Sequence, residues 1–471
     1  MKPPAWVRLC DAVAVVAACL AAFVILFGSF VASLGPAQMS VRSPGRLLFV
    51  AAALVAIRHV AFPANPLHRR FITWLRARRA DSPAAIAGAA LVSRIAVLLV
   101  AYFAVLTVGL FTAGVGFELS PDPLLNLPAR FDAGWYGGIA QEGYQFQGRF
   151  DRQQNIAFFP AFPVMMRAAG HLTGGFEPGV PPLWRLARIL WAGVLLSLAA
   201  FAWAAVYLVR LARDTIGEDR AVGALALLAA YPFALFFSAP YTESVFLLAA
   251  VAAFYHFRRE EWLRAAAWGL LAGLTRPNGC LLSVALAVLA LDQLQASRGP
   301  ADTRLRRVAI ALAVASASGI GMLAYSTYVH QLTGAWFGWA RLHETWGRSF
   351  EGLAPVARGI GRIANDGLLH ALAGVPFDSL NAVGLLFALA MVWPVTRRLG
   401  PAWAVFIVIN VIPPLMAGGV LSMGRVTATL FPIFLALSAI LPRRALVPTV
   451  TAFAIGQGLA AVLFFTWRPL F

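Results

Sequence analysis

Asp132 heads the run Arg130-Phe131-Asp132-Ala133-Gly134-Trp135-Tyr136, and at helical spacing it shares one face with Trp135, Tyr136 and Ile139. A carboxylate held beside aromatic rings can take a proton from a hydroxyl group. Asp is equally a favoured helix N-cap, so the residue type alone leaves both roles open. A second carboxylate, Glu243, follows Tyr241 and Thr242 at a tight turn between two apolar stretches. There it is either a functional group, as ionisable residues near membrane helices tend to be, or a partner for first-turn amides. Arg276 precedes Pro277-Asn278-Gly279 in the middle of an apolar block, and Arg425 follows Ser422-Met423-Gly424. Guanidinium groups in such places grip phosphate in a bidentate manner or reach out to lipid headgroups. His343, Glu344, Trp346 and Arg348 form a polar and aromatic run, and Asn155 opens the Pro- and Phe-rich segment 155–163.

The elements that must hold these residues are set by composition. Of 471 residues, 60% are hydrophobic and 12% charged, against roughly 25% charged in a soluble domain. Apolar blocks lie near 11–34, 47–62, 88–112, 188–209, 221–238, 240–257, 264–292, 308–330, 381–396, 401–420, 426–441 and 446–466. They are continuously apolar rather than alternating, which predicts membrane helices and not barrel strands. Pro277 and Gly279 interrupt the block at 264–292, making it one broken helix or a hairpin of two short ones. The expectation is an all-α polytopic membrane protein with about 12–13 transmembrane helices and external interfacial helices, forming a single domain over 1–471.

Net charge is +18, and every basic residue except Lys2 is Arg, a bias that suggests a GC-rich, bacterial genome. The arginines cluster at helix ends, which fits the positive-inside rule and not a nucleic-acid surface. The strongest cluster, Arg69, Arg70, Arg76, Arg78 and Arg79, is expected in the cytoplasm. Counting crossings from there puts loops 113–187 and 331–380 outside, together with the turns at 238–241, 276–279 and 422–425. Every candidate residue then falls on one face. The apolar run that begins near Ala12 is too long for a cleaved signal and reads as a first helix. Cys10, Cys19 and Cys280 form no disulfide or zinc pattern. No phosphate-cradling glycine loop, HExxH pair or nucleotide-binding fingerprint is present.

In order, these segments resemble the PIG-V family of mannosyltransferases. The resemblance rests on Arg130–Tyr136 with Ile139-Ala140 and Gly143-Tyr144, then Asn155–Pro163, then Tyr231-Pro232 through Tyr241-Thr242-Glu243-Ser244. Leu274–Gly279, Trp346-Gly347-Arg348 and Ser422–Arg425 complete it, so that it spans residues 128–435. Ala133 stands where the family motif often has Ser. The resemblance implies the GT-C architecture, an external active site, and a polyprenyl- or dolichyl-phosphate sugar such as polyprenyl-phosphate mannose as donor. A glycolipid or glycan would be the acceptor.

A phosphate leaves as a stable anion and needs charge neutralisation more than a second acid, so one carboxylate suffices for an inverting displacement. The expectation makes Asp132 the base, has Arg276 and Arg425 hold the phosphate, and gives Glu243 the hydroxyls. Trp135, Tyr136 and Tyr241 would offer ring faces to sugar, with Asn155, Trp346 and Arg348 as further substrate contacts. A divalent metal is compatible with this chemistry, but no compact cluster of acids or histidines marks a site for one. The expected setting is the bacterial inner membrane, with the active site extracytoplasmic. The rival reading is a lipid or sugar transporter, which usually shows paired broken helices in two related halves; only one clear break is visible here.

Overall fold

The structure is a computed structural model that describes residues 4–28, 30–34, 37–41, 43–62, 82–296, 300–370 and 376–470. The basic cluster at 69–79 lies outside these residues. The described chain is helical apart from one antiparallel hairpin, Phe30–Leu34 with Ala37–Val41. Eight helices are long and apolar enough to cross a membrane, and a ninth arises if the bent pair Glu218–Ala230 and Pro232–Ser238 is one span. A polytopic helical membrane protein is what composition requires, and among the described residues the full-length spans are fewer than the 12 or 13 crossings expected.

The shortfall has a physical origin. Blocks near 240–257, 264–292 and 426–441 are helical, but Glu243–Arg258 has 16 residues, Trp262–Thr275 has 14 and Phe431–Ile440 has 10. At 1.5 Å per residue these are too short for a hydrocarbon layer about 30 Å thick. The first block ends early too: its helix stops at Phe27, not near residue 34, and the hairpin follows. Conversely the block at 188–209 belongs to a 35-residue helix, Pro182–Ile216, so the first long loop closes at 181.

Each break sits where the backbone can be satisfied. Pro232 ends the Glu218–Ala230 helix, and the chain bends by 82°. The carbonyl of Ala229, freed there, accepts from Gln457 Nε2 at 3.0 Å and from the buried Arg94, which also donates to the Ala234 carbonyl. In lipid such groups would otherwise be costly. At Arg276 the backbone turns extended, and the 3-10 turn Pro277–Leu281 leads into the Leu282–Ala296 helix. Gly279 lies so near the Ala272 carbonyl oxygen that a Cβ would come within 1.9 Å of it. Only a chain that folds back on itself brings these two residues together, so the interruption is a hairpin.

The Glu243–Arg258 helix is buried except at Tyr255 and Arg258 and forms the centre of the bundle, as a helix apolar all round must. Peripheral spans instead expose Phe49, Val60, Leu99 and Phe103, surface suited to lipid and not to water. Gly279→Ala is expected to lower the melting temperature of the detergent-purified chain by several degrees, because backbone and not a flexible side chain fills the space. An unchanged melting temperature would contradict the fold-back.

Candidate functional site

Asp132 is placed by a loop that cannot move independently of the C-terminal helix Arg443–Phe465. Arg130, fully buried, donates through Nε to the Phe465 carbonyl at 2.6 Å and through Nη1 to the carbonyls of Asn126 and Ala129 at 2.7 Å. Phe131 adopts a left-handed φ of 45°, unusual for a bulky residue, while its ring packs on Phe464 and Trp467. Tyr241 closes the arrangement. Its hydroxyl accepts from the Asp132 amide at 3.0 Å and donates to the Arg130 carbonyl at 3.0 Å.

Neither carboxylate is spent on capping. Asp132 precedes the Ala133–Glu142 helix and Glu243 opens the Glu243–Arg258 helix, and no side-chain cap bond is made at either start. Both instead meet Arg425. Its Nη1 donates to Asp132 Oδ2 at 2.7 Å and its Nε to Glu243 Oε1 at 2.9 Å. Arg276 Nη1 stands 3.3 Å from the same Glu243 oxygen. Helix N-termini favour negative charge, so each carboxylate also sits at the favourable end of its helix.

Arg425 reaches this point because the Ser422-Met423-Gly424 turn is tightly built. Ser422 takes a left-handed φ of 59°. A Cβ on Gly424 would fall 2.1 Å from the Phe233 ring, so only glycine fits. The Arg425 guanidinium lies over the Tyr241 ring at 4.7 Å, a favourable cation–π geometry.

A cavity of about 560 Å³ opens onto this network. Asp132, Tyr136, Arg276, Trp346, Arg348 and Arg425 line it. Glu243, Trp135, Tyr241 and Asn155, also expected against substrate, do not line it. Glu243 has no exposed side-chain surface, whereas Asp132 retains 22%. Trp135 stacks on Phe158 and meets the edge of Trp346, supporting the wall from behind. Asn155 clasps its own loop, donating to the Gly143 carbonyl at 3.0 Å and accepting from the Gln145 amide at 3.1 Å. Thr242, from the Tyr241-Thr242-Glu243-Ser244 turn, also lines the cavity, as do Trp339 and the Pro413-Pro414 pair, which nothing in their local sequence singled out. His343, noted earlier only as part of a polar run, lines it as well.

Within the network two guanidinium groups face two carboxylates. Arg348 therefore brings surplus positive charge to the cavity, its Nη2 donating to the Leu421 carbonyl at 3.1 Å. Burial, with the nearby Arg425, draws Arg348 down to about 10, so it is charged at neutral pH. Burial, with Arg348 beside it, draws His343 down to about 4, so its ring is neutral there. Burial pushes the Tyr136 phenol up to about 12. Among the described residues no three His, Cys, Asp or Glu side chains gather as metal ligands.

The segment carrying Asp132, Glu243 and Arg276 is the one that decides the kinship. Residues 120–331 match the mannosyltransferase (PIG-V) family. The match covers a little under half of the chain, and it supports a glycosyltransferase role of the mannosyl-transferring kind. Arg348 and Arg425 lie beyond the matched residues and join them through space, Arg425 by its ion pairs and both by the shared cavity. Among curated proteins, none matches the chain.

Glu243→Gln is expected to destabilise the protein by about 3–5 kcal/mol, the usual range when one partner of a buried pair is removed. The measurement is thermal unfolding in detergent, and an unshifted transition would contradict the pairing. Below pH 6.5 an unfolded histidine binds a proton that folded His343 refuses until about pH 4. The His343 contribution to stability therefore falls as pH drops through that window. His343→Gln should flatten part of the decline in melting temperature between pH 6.5 and 4; identical pH profiles would contradict it.

Proposed function

We propose that the protein transfers mannose from a polyprenyl-phosphate carrier to a hydroxyl of a glycolipid or glycan, on the extracytoplasmic side of a bacterial inner membrane. The observation that carries this reading is the meeting, at one cavity, of a single accessible carboxylate with arginines in excess.

Asp132 gives Oδ2 to Arg425, and Oδ1 accepts no hydrogen bond among the described residues. The acceptor hydroxyl presents its proton to that oxygen. As the proton moves to Asp132, the hydroxyl oxygen bonds to the anomeric carbon from the face opposite the carrier. The bond from anomeric carbon to phosphate oxygen breaks, the phosphate leaves with the electron pair, and the anomeric configuration inverts. A leaving group that departs as a stable anion needs positive charge, not a second acid.

Arg348 and Arg276 are the groups we assign to that phosphate, because both line the cavity and Arg348 faces no carboxylate within hydrogen-bond distance among the described residues. Two Arg425 donors are engaged by carboxylates, so its part is to set the position of Asp132 and to offset the charge of Glu243. Glu243, closed off from the cavity, holds Arg425 and Arg276 together at one oxygen, Oε1. Tyr136, Trp346 and Trp339 offer faces that suit a sugar ring. The absence of a nucleotide fingerprint in the sequence favours a lipid carrier as donor.

Asp132→Asn is expected to remain folded and membrane-bound while losing at least about 10²-fold in turnover, the scale of a lost general base. The assay follows radiolabelled mannose from polyprenyl-phosphate mannose into membrane-extract lipids and glycans. Turnover at the wild-type rate would remove Asp132 from the reaction. Arg348→Gln should raise the KM for the lipid donor more than Trp346→Ala does; the reverse order would place the phosphate elsewhere.

A further inference from the structure

The segment after Arg348 has no part in the chemistry above, yet it is tied to the cavity rim. The amide of Glu351 donates to the Met416 carbonyl at 2.9 Å. Pro355 packs against Gly419, where a Cβ would lie 3.2 Å from its own Cβ. Met416 and Gly419 mark the end of the membrane span Pro401–Gly418, whose neighbours Ala417 and Leu421 line the cavity. The segment is therefore anchored at the depth where a span leaves the hydrocarbon.

From that anchor runs the helix Ala354–Asp366, in which no residue is buried. Its sequence divides sharply by face. Leu353, just before it, and Val356, Ile360 and Ile363 recur on one side, while Arg358 and Arg362 lie opposite. Val356 makes partial contact with the core. The other apolar residues are open: Leu353 is 68% exposed and Ile360 63%, with Phe350 at 76% just upstream. On the polar side Arg358 pairs with Glu351. Strong separation of faces with little overall apolarity marks a helix that lies in an interface and does not cross it. The membrane span Pro376–Leu399 likewise exposes Leu380, Val383 and Leu386, surface suited to lipid.

We propose that the Ala354–Asp366 helix lies flat in the membrane surface at the cavity rim, with Leu353, Ile360 and Ile363 in the lipid acyl region and Arg358 and Arg362 turned to water. The helix fixes the rim at headgroup depth, which lets a lipid-borne molecule reach the cavity from within the leaflet.

The test uses the full chain in phosphatidylcholine–phosphatidylglycerol vesicles, with Cys10, Cys19 and Cys280 replaced by Ser and a fluorophore on Ile360→Cys or Arg362→Cys. Nitroxide lipid should quench the label at 360 several-fold more than the one at 362, and aqueous iodide should show the opposite order. Equal iodide quenching at both positions places the helix in water and overturns the proposal. Shielding of both from iodide and from nitroxide lipid overturns it as well, since a second copy or another protein then covers the face. The unsubstituted chain, photolysed with a diazirine acyl lipid and mapped by mass spectrometry, gives a check that needs no variant. Label on 353–363 is expected there, and its absence from that stretch contradicts the proposal. No sugar transfer enters either readout, so the outcome is independent of the proposed reaction.

Discussion

Two carboxylates and two guanidinium groups share one buried network, and the rest of the site depends on its closure. Removing such charges from water costs several kcal/mol each, a cost offset only when every partner is held in good geometry. Glu243 meets part of that demand through Oε1, which accepts from Arg425 and faces Arg276, while its Oε2 accepts no hydrogen bond among the described residues; Arg425 carries the connection outward to Asp132. The charges come from four separate parts of the chain. Each arrives at the end of a helix or in a tight turn: before Ala133–Glu142, at the start of Glu243–Arg258, at the fold-back after Thr275, and in Met423–Ala428. The short and broken helices that reduce the number of full spans are the devices that let these termini meet inside the bundle.

This division of labour assigns different tasks to similar residue types. Asp132 keeps surface in the cavity and Glu243 keeps none, so one carboxylate is available to a ligand and the other organises guanidinium groups. Arg425 is engaged on two sides, whereas Arg348 adds charge without a carboxylate within hydrogen-bond distance among the described residues. Tyr241 works from behind, tying the Asp132 amide to the Arg130 carbonyl. The loop bearing Asp132 is thereby coupled to the last membrane helix, through Arg130 and the rings of Phe131, Phe464 and Trp467.

Much of this was legible because charge is rare in so apolar a chain. Asp132, Glu243, Arg276 and Arg425 stood out as ionisable residues at helix boundaries, and the structure brings all four together. Arg348 and Trp346 were legible as a polar-aromatic run. The contribution of each residue was less so. Nothing in the sequence distinguishes a carboxylate that faces a cavity from one sealed behind it, since both open helices and neighbour aromatics. Among the described residues full-length spans are fewer than apolar blocks: the interruption at Pro277 was legible, but hydropathy does not register that Pro232 turns the chain within its block. The amphipathic period of 353–363 was available to a search for spacing, although low overall apolarity hides it from a search for spans. Trp339 and Pro413-Pro414 had no local signal, because cavity walls are assembled from distant segments.

The central claim is that Glu243, Arg276 and Arg425 act as one unit on which Asp132 is mounted. A double-mutant cycle of Glu243→Gln and Arg276→Gln, read in thermal stability and in mannose transfer, tests it most directly. The account predicts a coupling energy of about 0.5–3 kcal/mol, the range for residues in one salt-bridge network, with the double variant less impaired than the two single losses combined. Strict additivity in both readouts would contradict it.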